Sequence, residues 1–560
     1  MNKRELEIPW LVGGLLVGLA ASAAPLLPHL AARLPGDPVQ AAAALWHLWW
    51  PLFGLTSSDA LSFGLPLTLY QGGPWLSNHL VTLPVLASIP FTLLRAISGN
   101  AVLSFNLTLL LGQVAAQGTL YGYLRARKAA APLAALGSLA FALSPWMIDG
   151  LGAPDILRSG LWALPLALWL WDRLIDAPSP ARAVFAGAAA WLALPAGLEN
   201  TAWLWGLWLP YAVVTGWQAL HAQPVDQRGA LRDALLIAAG AFTLLALIYP
   251  AHALVRALQG AEPPFASANP DLLVQTPARS FLISLLRSAP AIWAAALAGL
   301  LLAREGDALR GRGWLALGAV NLLFAFGLLP APARMFSGML ALPWLPTHSS
   351  LAYFGTAAFA LLVFAVENLA PRWEGLSARW RWIAGGAALL LIGAGAAIGL
   401  RGFTTHPVSV PAFYTEIAAE PEDYFLLEVP FGLANTQDGG LTGSAEGAAL
   451  VRYAAWHGKR TLSGAAYYFT PDQHARLAGL AWLFPQALGE DGIQAAAPDL
   501  AEAVNTWRFG YVIVHPDLLD AQALQAIDAL AEHSEALCPA QHRDGLIIYR
   551  ALWQPGGCGG

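Results

Sequence analysis

Charge is what this 560-residue sequence has least of: Asp, Glu, Lys and Arg make up 12% of it, against roughly 25% in a soluble globular chain. Over this length the deficit excludes an ordinary cytosolic enzyme. Intrinsic disorder is excluded as well, because 57% of the residues are hydrophobic. Of the 30 basic residues only three are lysine (Lys3, Lys128 and Lys459), net charge is −5, and no basic patch is present, which excludes a nucleic-acid partner. Cysteine is nearly absent. The two residues, Cys538 and Cys558, cannot build a disulfide-rich scaffold or a C-x-x-C metal site. No P-loop and no G-x-S-x-G is present.

What is present is long apolar sequence, distributed unevenly. Up to Leu400 the chain is a series of hydrophobic runs, and from Arg401 it reads as a soluble domain. A bilayer-crossing helix needs about 20 apolar residues, fewer when flanked by interfacial anchors. Eleven runs qualify: Trp10–Ala31, Ala101–Leu124, Ala131–Met147, Leu161–Ile175, Val184–Leu198, Ala202–Leu220, Ala234–Tyr249, Phe281–Leu302, Trp314–Leu329, Leu351–Leu369 and Trp382–Leu400. Tryptophans at run ends (Trp10, Trp146, Trp171, Trp314, Trp344, Trp382) suit the headgroup level. A twelfth run, Leu80–Ile97, is interrupted by Pro84 and Pro90. If it does not cross, fifteen basic residues fall on one side and seven (Arg33, Arg95, Arg158, Arg256, Arg279, Arg287, Arg334) on the other. If it crosses, the bias reverses, so the positive-inside rule makes it a helix lying on or dipping into the outer surface. The expectation is a polytopic α-helical membrane protein with about eleven spans over 1–400, N-terminus inside, and an extracytoplasmic α/β domain over 401–560.

Inner loops are short and basic, whereas the outer ones (32–100, 148–160, 250–280, 330–350) are mostly longer and hold the polar chemistry. Asp37 follows Leu34-Pro35-Gly36 at the mouth of the first span. A carboxylate there suits a general base or a divalent-cation ligand, and equally an ordinary turn. Trp46, Trp49 and Trp50 at i, i+3, i+4 with His47 read as an interfacial helix carrying a candidate ligand or base. Asn78 and His79 enter the surface helix either as contacts to a bound polar group or as its cap. Asp149, Asp155 and Arg158 share the second outer loop, where arginine's planar fork suits phosphate and where a loop ion pair is the plainer reading. Arg334 and His348 flank the loop before the tenth span, as headgroup contacts or snorkelling anchors. In the exported domain, Tyr424–Val429, Tyr511–His515 and Leu546–Tyr549 read as strands, with helical patterns over Asp472–Phe484 and Ala521–Leu530. Trp456, His457 and Tyr467 lie in an aromatic, polar segment suited to sugar or to packing on the membrane domain. Cys538 and Cys558 are either bridged or two free thiols.

The order of these features carries a resemblance. Gly36-Asp37 after the first span is followed by the Trp-rich helix, Ser77-Asn78-His79-Leu80, and Ser98-Gly99-Asn100 through Asn106-Leu107. Ser144-Pro145 closes the third span, and the tail adds Glu428-Val429-Pro430, His457-Gly458-Lys459 and Tyr511 through His515. Along nearly its whole length the chain resembles bacterial YfhO-like and related membrane proteins with a GT-C glycosyltransferase fold. That resemblance implies residence in the bacterial cytoplasmic membrane and a polyprenyl-phosphate sugar donor used on its outer face. The acceptor it implies is an envelope glycan, lipid or protein. It makes Asp37 the catalytic or metal-associated acid, with Mg or Mn as the cation such an acid holds. Asp149 or Asp155 becomes the second acid, and Arg158 or Arg334 the contact to donor phosphate. Two other readings remain: a non-enzymatic subunit docking partners through its outer domain, and a transporter. The transporter is disfavoured because nearly all charges sit at span ends.

Overall fold

The computed structural model describes residues 7–38, most of 41–49, 85–152, 160–192, 203–246, 289–302, 309–326, 328–329, 350–431, 433–435, 441–443, 450–461, 479–484 and 488–559. The chain divides into two compact units: Met1–Gly36 with Thr82–Pro250 and Asn269–Thr405, and Asp37–Val81 with Ala251–Ala268 and His406–Gly560.

The first unit is helical. In order its main helices are α1 (Glu7–Ala23), α2 (Val85–Ser98), α3 (Ala101–Ala126), α4 (Ala131–Ala142), α5 (Pro145–Gly152), α6 (Ala163–Asp176) and α7 (Pro180–Leu192). They continue as α8 (Leu209–Ala222), α9 (Val225–Ala246), α10 (Pro290–Leu302), α11 (Leu309–Ala325), α12 (Ser350–Gly375) and α13 (Ala378–Leu400). The expected first span is corrected. Its helix stops at Ala23 instead of Ala31, and a 3-10 turn follows at Leu27–His29, because Pro25 and Pro28 remove amide donors and clash with the preceding turn. The α2–α3 junction is two residues long. Gly99, at φ +66°, closes α2 and Asn100 opens α3 by accepting the Leu103 amide at 2.8 Å. As a 14-residue helix α2 is about 21 Å long, short of the ~30 Å hydrocarbon thickness. It buries Ala87, Ser88 and Phe91 and exposes Ile89, Leu93 and Ile97.

By length and composition, three described helices qualify to cross a membrane: α3, Tyr353–Gly375 within α12, and α13. The count becomes four if α4 and α5, bent by 45° at the Ser144-Pro145 break, make one span. The other expected spans are shorter helices or run into residues outside the described ones. Helix α12 is almost wholly enclosed, packed against α10 and α11, while α13 turns Trp380, Trp382, Ile383 and Leu390 outward. A helix apolar on every face and buried belongs at a core, whereas one apolar side left open on α13 suits lipid.

The second unit holds a mixed five-stranded sheet. Its strands are β1 (Phe425–Val429), β4 (Arg460–Thr461), β5 (Phe509–Val514), β6 (Gln541–Arg543) and β7 (Leu546–Arg550), with a small hairpin β2 (Leu433–Asn435) and β3 (Leu441–Gly443) apart from it. The order is β4-β1-β5-β7-β6, with β4, β1 and β5 parallel and β7 and β6 antiparallel. β1 and β5 are buried at every position, which is why they read as continuous apolar runs without alternation. Two helices, α16 (Glu490–Thr506) and α17 (Ala521–Ser534), pack together on one face through Leu500, Val504, Ile527 and Leu530. Two shorter ones, α14 (Ala412–Ala418) and α15 (Ala454–His457), meet near the residues of a second core. The sequence pattern had missed α16. It is carried by small alanines at the buried positions, which in an alanine-rich chain give no contrast.

Candidate functional site

The turn at the end of the first helical segment is tied down from two directions. Asn106 of α3, fully buried, donates from Nδ2 to the carbonyls of Leu30 and Arg33, both at 2.8 Å. Asn100 Nδ2 donates to the Ala31 carbonyl at 3.2 Å. Beyond the last helix, Thr405 accepts from Arg33: Nε donates to its Oγ1 at 2.8 Å and Nη2 to its carbonyl at 2.6 Å. The Gly36 amide donates to the Thr404 carbonyl at 2.8 Å. Gly36 holds φ +80°, a conformation that costs an L-residue about 1–2 kcal/mol. The next residue is Asp37. It is exposed, and its carbonyl accepts the Ala41 amide at 2.9 Å, so it starts the following helical stretch. The positive end of that stretch favours a carboxylate.

Asp149 lies on α5 and is exposed while Pro145, Trp146, Met147, Ile148, Gly150 and Leu151 around it are buried. The helix is seated against α13 where Gly399 has no side chain. A Cβ there would stand 3.0 Å from Pro145 and from Ile148. Asp155, Arg158, Asn78, His79, His47, Arg334, His348 and Tyr467 lie outside the described residues. Trp46 is described and is buried, with Trp49 and the other described residues of 41–49, so this helix does not offer the open aromatic face of an interfacial one. Among the described residues no three His, Cys, Asp or Glu side chains gather as a metal site.

A second polar group lies at the carboxyl ends of the parallel strands β1 and β5, the edge at which open α/β sheets take ligands. Glu428, penultimate in β1, is 1% exposed, and no hydrogen bond of ordinary geometry reaches either carboxylate oxygen. His457, ending α15, is buried with Nε2 4.0 Å from Glu428 Oε1, and its Nδ1 accepts the Lys459 amide at 2.9 Å. His515, just past β5, shares a 3.0 Å hydrogen bond between its Nε2 and Tyr414 Oη. The rings stack: Tyr414 on Tyr453 at 4.5 Å and on His457 at 5.5 Å, and Tyr453 on His515 at 5.7 Å. Arg452 caps the stack, its guanidinium 4.8 Å from the Tyr453 ring centre. Desolvation pushes the Glu428 carboxyl up to about 8, against the weaker opposing pull of the Tyr414 hydroxyl and the Arg452 charge. Desolvation, helped by Arg452, pulls the His515 imidazole down to about 3. Trp456 is half-buried beside His457, and Cys538 and Cys558 are joined as a disulfide, which decides between the two readings the sequence left open. The sequence marks His457 as a candidate sugar or acceptor contact, and Glu428 and His515 only as parts of motifs. Their convergence, and the part taken by Tyr414 and Tyr453, had no local signal.

No protein-family model matches the chain, and no curated protein matches it. Among solved structures, the arabinofuranosyltransferase AftD from Mycobacteria matches with 17% identity and a TM-score of 0.54, over 98% of this chain and 41% of that one. The present chain thus spans well under half of AftD. ArnT from Cupriavidus metallidurans, covered to 97% by 96% of this chain, matches at 13% identity with TM-scores of 0.37 in its apo state and 0.39 bound to undecaprenyl phosphate. On the AftD match, the chain is similar in fold to GT-C membrane glycosyltransferases.

Proposed function

We propose that this protein is a membrane glycosyltransferase that moves a sugar from a polyprenyl-phosphate donor to an extracytoplasmic glycan, lipid or protein acceptor. In this reading it resides in the bacterial cytoplasmic membrane, with its N-terminus inside and residues 401–560 outside. The observation that carries the reading is the tied turn: buried Asn106 and Arg33 hold the segment that ends in a glycine-requiring bend at Gly36, and the next residue in the chain is an exposed carboxylate, Asp37. The AftD fold match along 98% of the chain supports it.

Asp37 takes the proton of an acceptor hydroxyl as that oxygen bonds to the donor's anomeric carbon. The bond from that carbon to phosphate oxygen breaks, and polyprenyl phosphate leaves with the electron pair. Arg158 and Arg334, with His348, His79 and Asn78, neutralise the departing phosphate, and Asp149 or Asp155 is the second acid. Trp46, His47, Trp456, His457 and Tyr467 are the proposed sugar and acceptor contacts. The test is sugar transfer from a radiolabelled polyprenyl-phosphate donor pool by purified wild type and Asp37→Asn. Loss of a general base lowers turnover by about 10²–10⁴-fold. Equal turnover in the two proteins refutes the role of Asp37. Exposure of both Asp37 and Asp149 favours, as second reading, a non-catalytic subunit docking partners through its outer domain. Absence of turnover in either protein across a broad donor and acceptor panel selects it.

A further inference from the structure

Three buried polar groups draw mainly on residues beyond the proposed transfer site: the Arg127 cluster, the Asn321 bond to the Gly206 carbonyl, and Glu428 with its ring stack, of which only His457 is also a proposed sugar contact. Arg127, Asp172, Tyr211 and Glu367 bond to one another, and Asn321 Nδ2 donates to the Gly206 and Leu317 carbonyls. Glu428 differs, since no hydrogen bond of ordinary geometry reaches either of its enclosed oxygens.

We propose that Glu428 is a proton-operated catch at the carboxyl end of the exported sheet, closed when its side chain is neutral and released when it ionises. Tyr414 faces Glu428 from α14, Arg452 and Tyr453 from the 3-10 turn Val451–Tyr453, His457 from α15, and His515 from beyond β5. From β4 and its approach, Arg460 pairs with Asp423, and Lys459 Nζ donates to the Glu420 and Glu422 carbonyls. Arg452 is held over Tyr453 and donates from Nη2 to its hydroxyl at 3.0 Å. None of these charges makes a close ion pair with Glu428, and an unpaired buried carboxylate costs several kcal/mol.

A neutral acid therefore suits the closed stack, and an ionised one has a ready destination. The His457 Nδ1 accepts an amide proton, so Nε2 bears the ring proton and faces Glu428 across 4.0 Å. A displacement of about 1 Å turns that gap into a charge-assisted hydrogen bond. His457 then leaves its stacking on Tyr414, which in turn holds His515. The His515 amide is the last ladder bond between the parallel strands, donated to the Val429 carbonyl at 2.9 Å. Ionisation thus reaches the strand ends. The elevated affinity of Glu428 for its proton agrees with this placement. The proposal is independent of whether the membrane unit transfers sugar.

The test uses the full chain in detergent micelles and compares hydrogen exchange of wild type and Glu428→Gln from about pH 6 to about pH 9, so that intrinsic exchange chemistry cancels. In peptides spanning 425–431 and 451–461 the wild-type excess is expected to rise by about tenfold per pH unit and level off above the titration. Peptides of β7 report the change in stability of the whole sheet. A flat ratio, or a rise no larger than that of β7, overturns the proposal. In parallel, infrared spectra of glutamate-labelled wild type follow the protonated carboxyl band that Glu428→Gln lacks. A midpoint near 8 supports the catch, and absence of the band at neutral pH overturns it. Should Glu428→Gln not fold, wild-type exchange in 425–431 and 451–461, corrected for intrinsic rates and set against β7, decides, and a flat profile overturns the proposal.

Discussion

Replacing Arg127 by methionine is expected to destabilise the membrane unit more than any other single change in its helices. Arg127 caps α3 and joins three helices that lie far from it in sequence. Its Nε donates to Glu367 of α12 at 2.6 Å, and its Nη1 donates to Asp172 of α6 and to Tyr211 Oη of α8, both at 3.0 Å. The Tyr211 hydroxyl donates to Asp172 at 2.6 Å. The side chains are 6%, 19% and 15% exposed for Arg127, Asp172 and Glu367, so solvent screens them weakly. One cation thus stands between two carboxylates. Arg127→Met takes the shared cation from both acids, and breaking a buried pair in this way costs about 3–5 kcal/mol. The triple variant Arg127→Met, Asp172→Asn, Glu367→Gln removes the charge problem along with the pair, and is expected to recover at least half of that loss. Equilibrium unfolding in mixed SDS micelles, followed by intrinsic tryptophan fluorescence, measures both. A triple variant as unstable as the single one refutes the electrostatic reasoning and assigns the effect to lost packing of the arginine stem.

Three further outcomes follow from the geometry. For the exported sheet, Glu428 raised from 4.5 to about 8 contributes stability that is lost as pH climbs through that range, and His515 lowered from 6.5 to about 3 contributes stability lost as pH falls. The two slopes cancel between 4.5 and 6.5, so this pair gives a plateau there with falls of about 1.4 kcal/mol per pH unit above 6.5 and below 4.5. Urea unfolding of wild type, Glu428→Gln and His515→Gln across pH checks it, each variant losing one flank. Reducing the Cys538–Cys558 bridge, which closes a separation of 20 residues, is expected to lower stability by about 3 kcal/mol, measured by unfolding with and without reductant. Asn106→Ala removes two of the bonds that hold the first turn and costs about 1–3 kcal/mol. It is expected to raise amide exchange at Gly36 without altering that in the exported strands.

Elements with strong local signals were legible in the sequence. The Ala101–Leu124 run became α3 at Ala101–Ala126, and the run at Trp382–Leu400 became α13. The three apolar stretches of the exported domain became its central strands, within one or two residues at each end. Helix ends near proline were read less well, since a hydrophobic run continues through Pro25 and Pro28 whereas the backbone cannot. The surroundings of the candidate residues were not legible: neither the exposure of Asp37 and Asp149 nor the burial of Trp46 and His457 has a local signal.

The sequence by itself determined which stretches are apolar, where helices cap and where strands run, because those properties depend on sterics and solvation over a few neighbouring residues. Tertiary structure alone decided which polar groups meet. Arg33 finds Thr405 across 372 residues, and Arg127 finds Glu367 across 240. Glu428, His457 and His515 come together only because parallel strands bring their carboxyl ends to one edge. No periodicity carries such pairings, since each is fixed by how whole helices and strands pack. Burial then converts ordinary side chains into paired charges, a neutral acid or a tied turn.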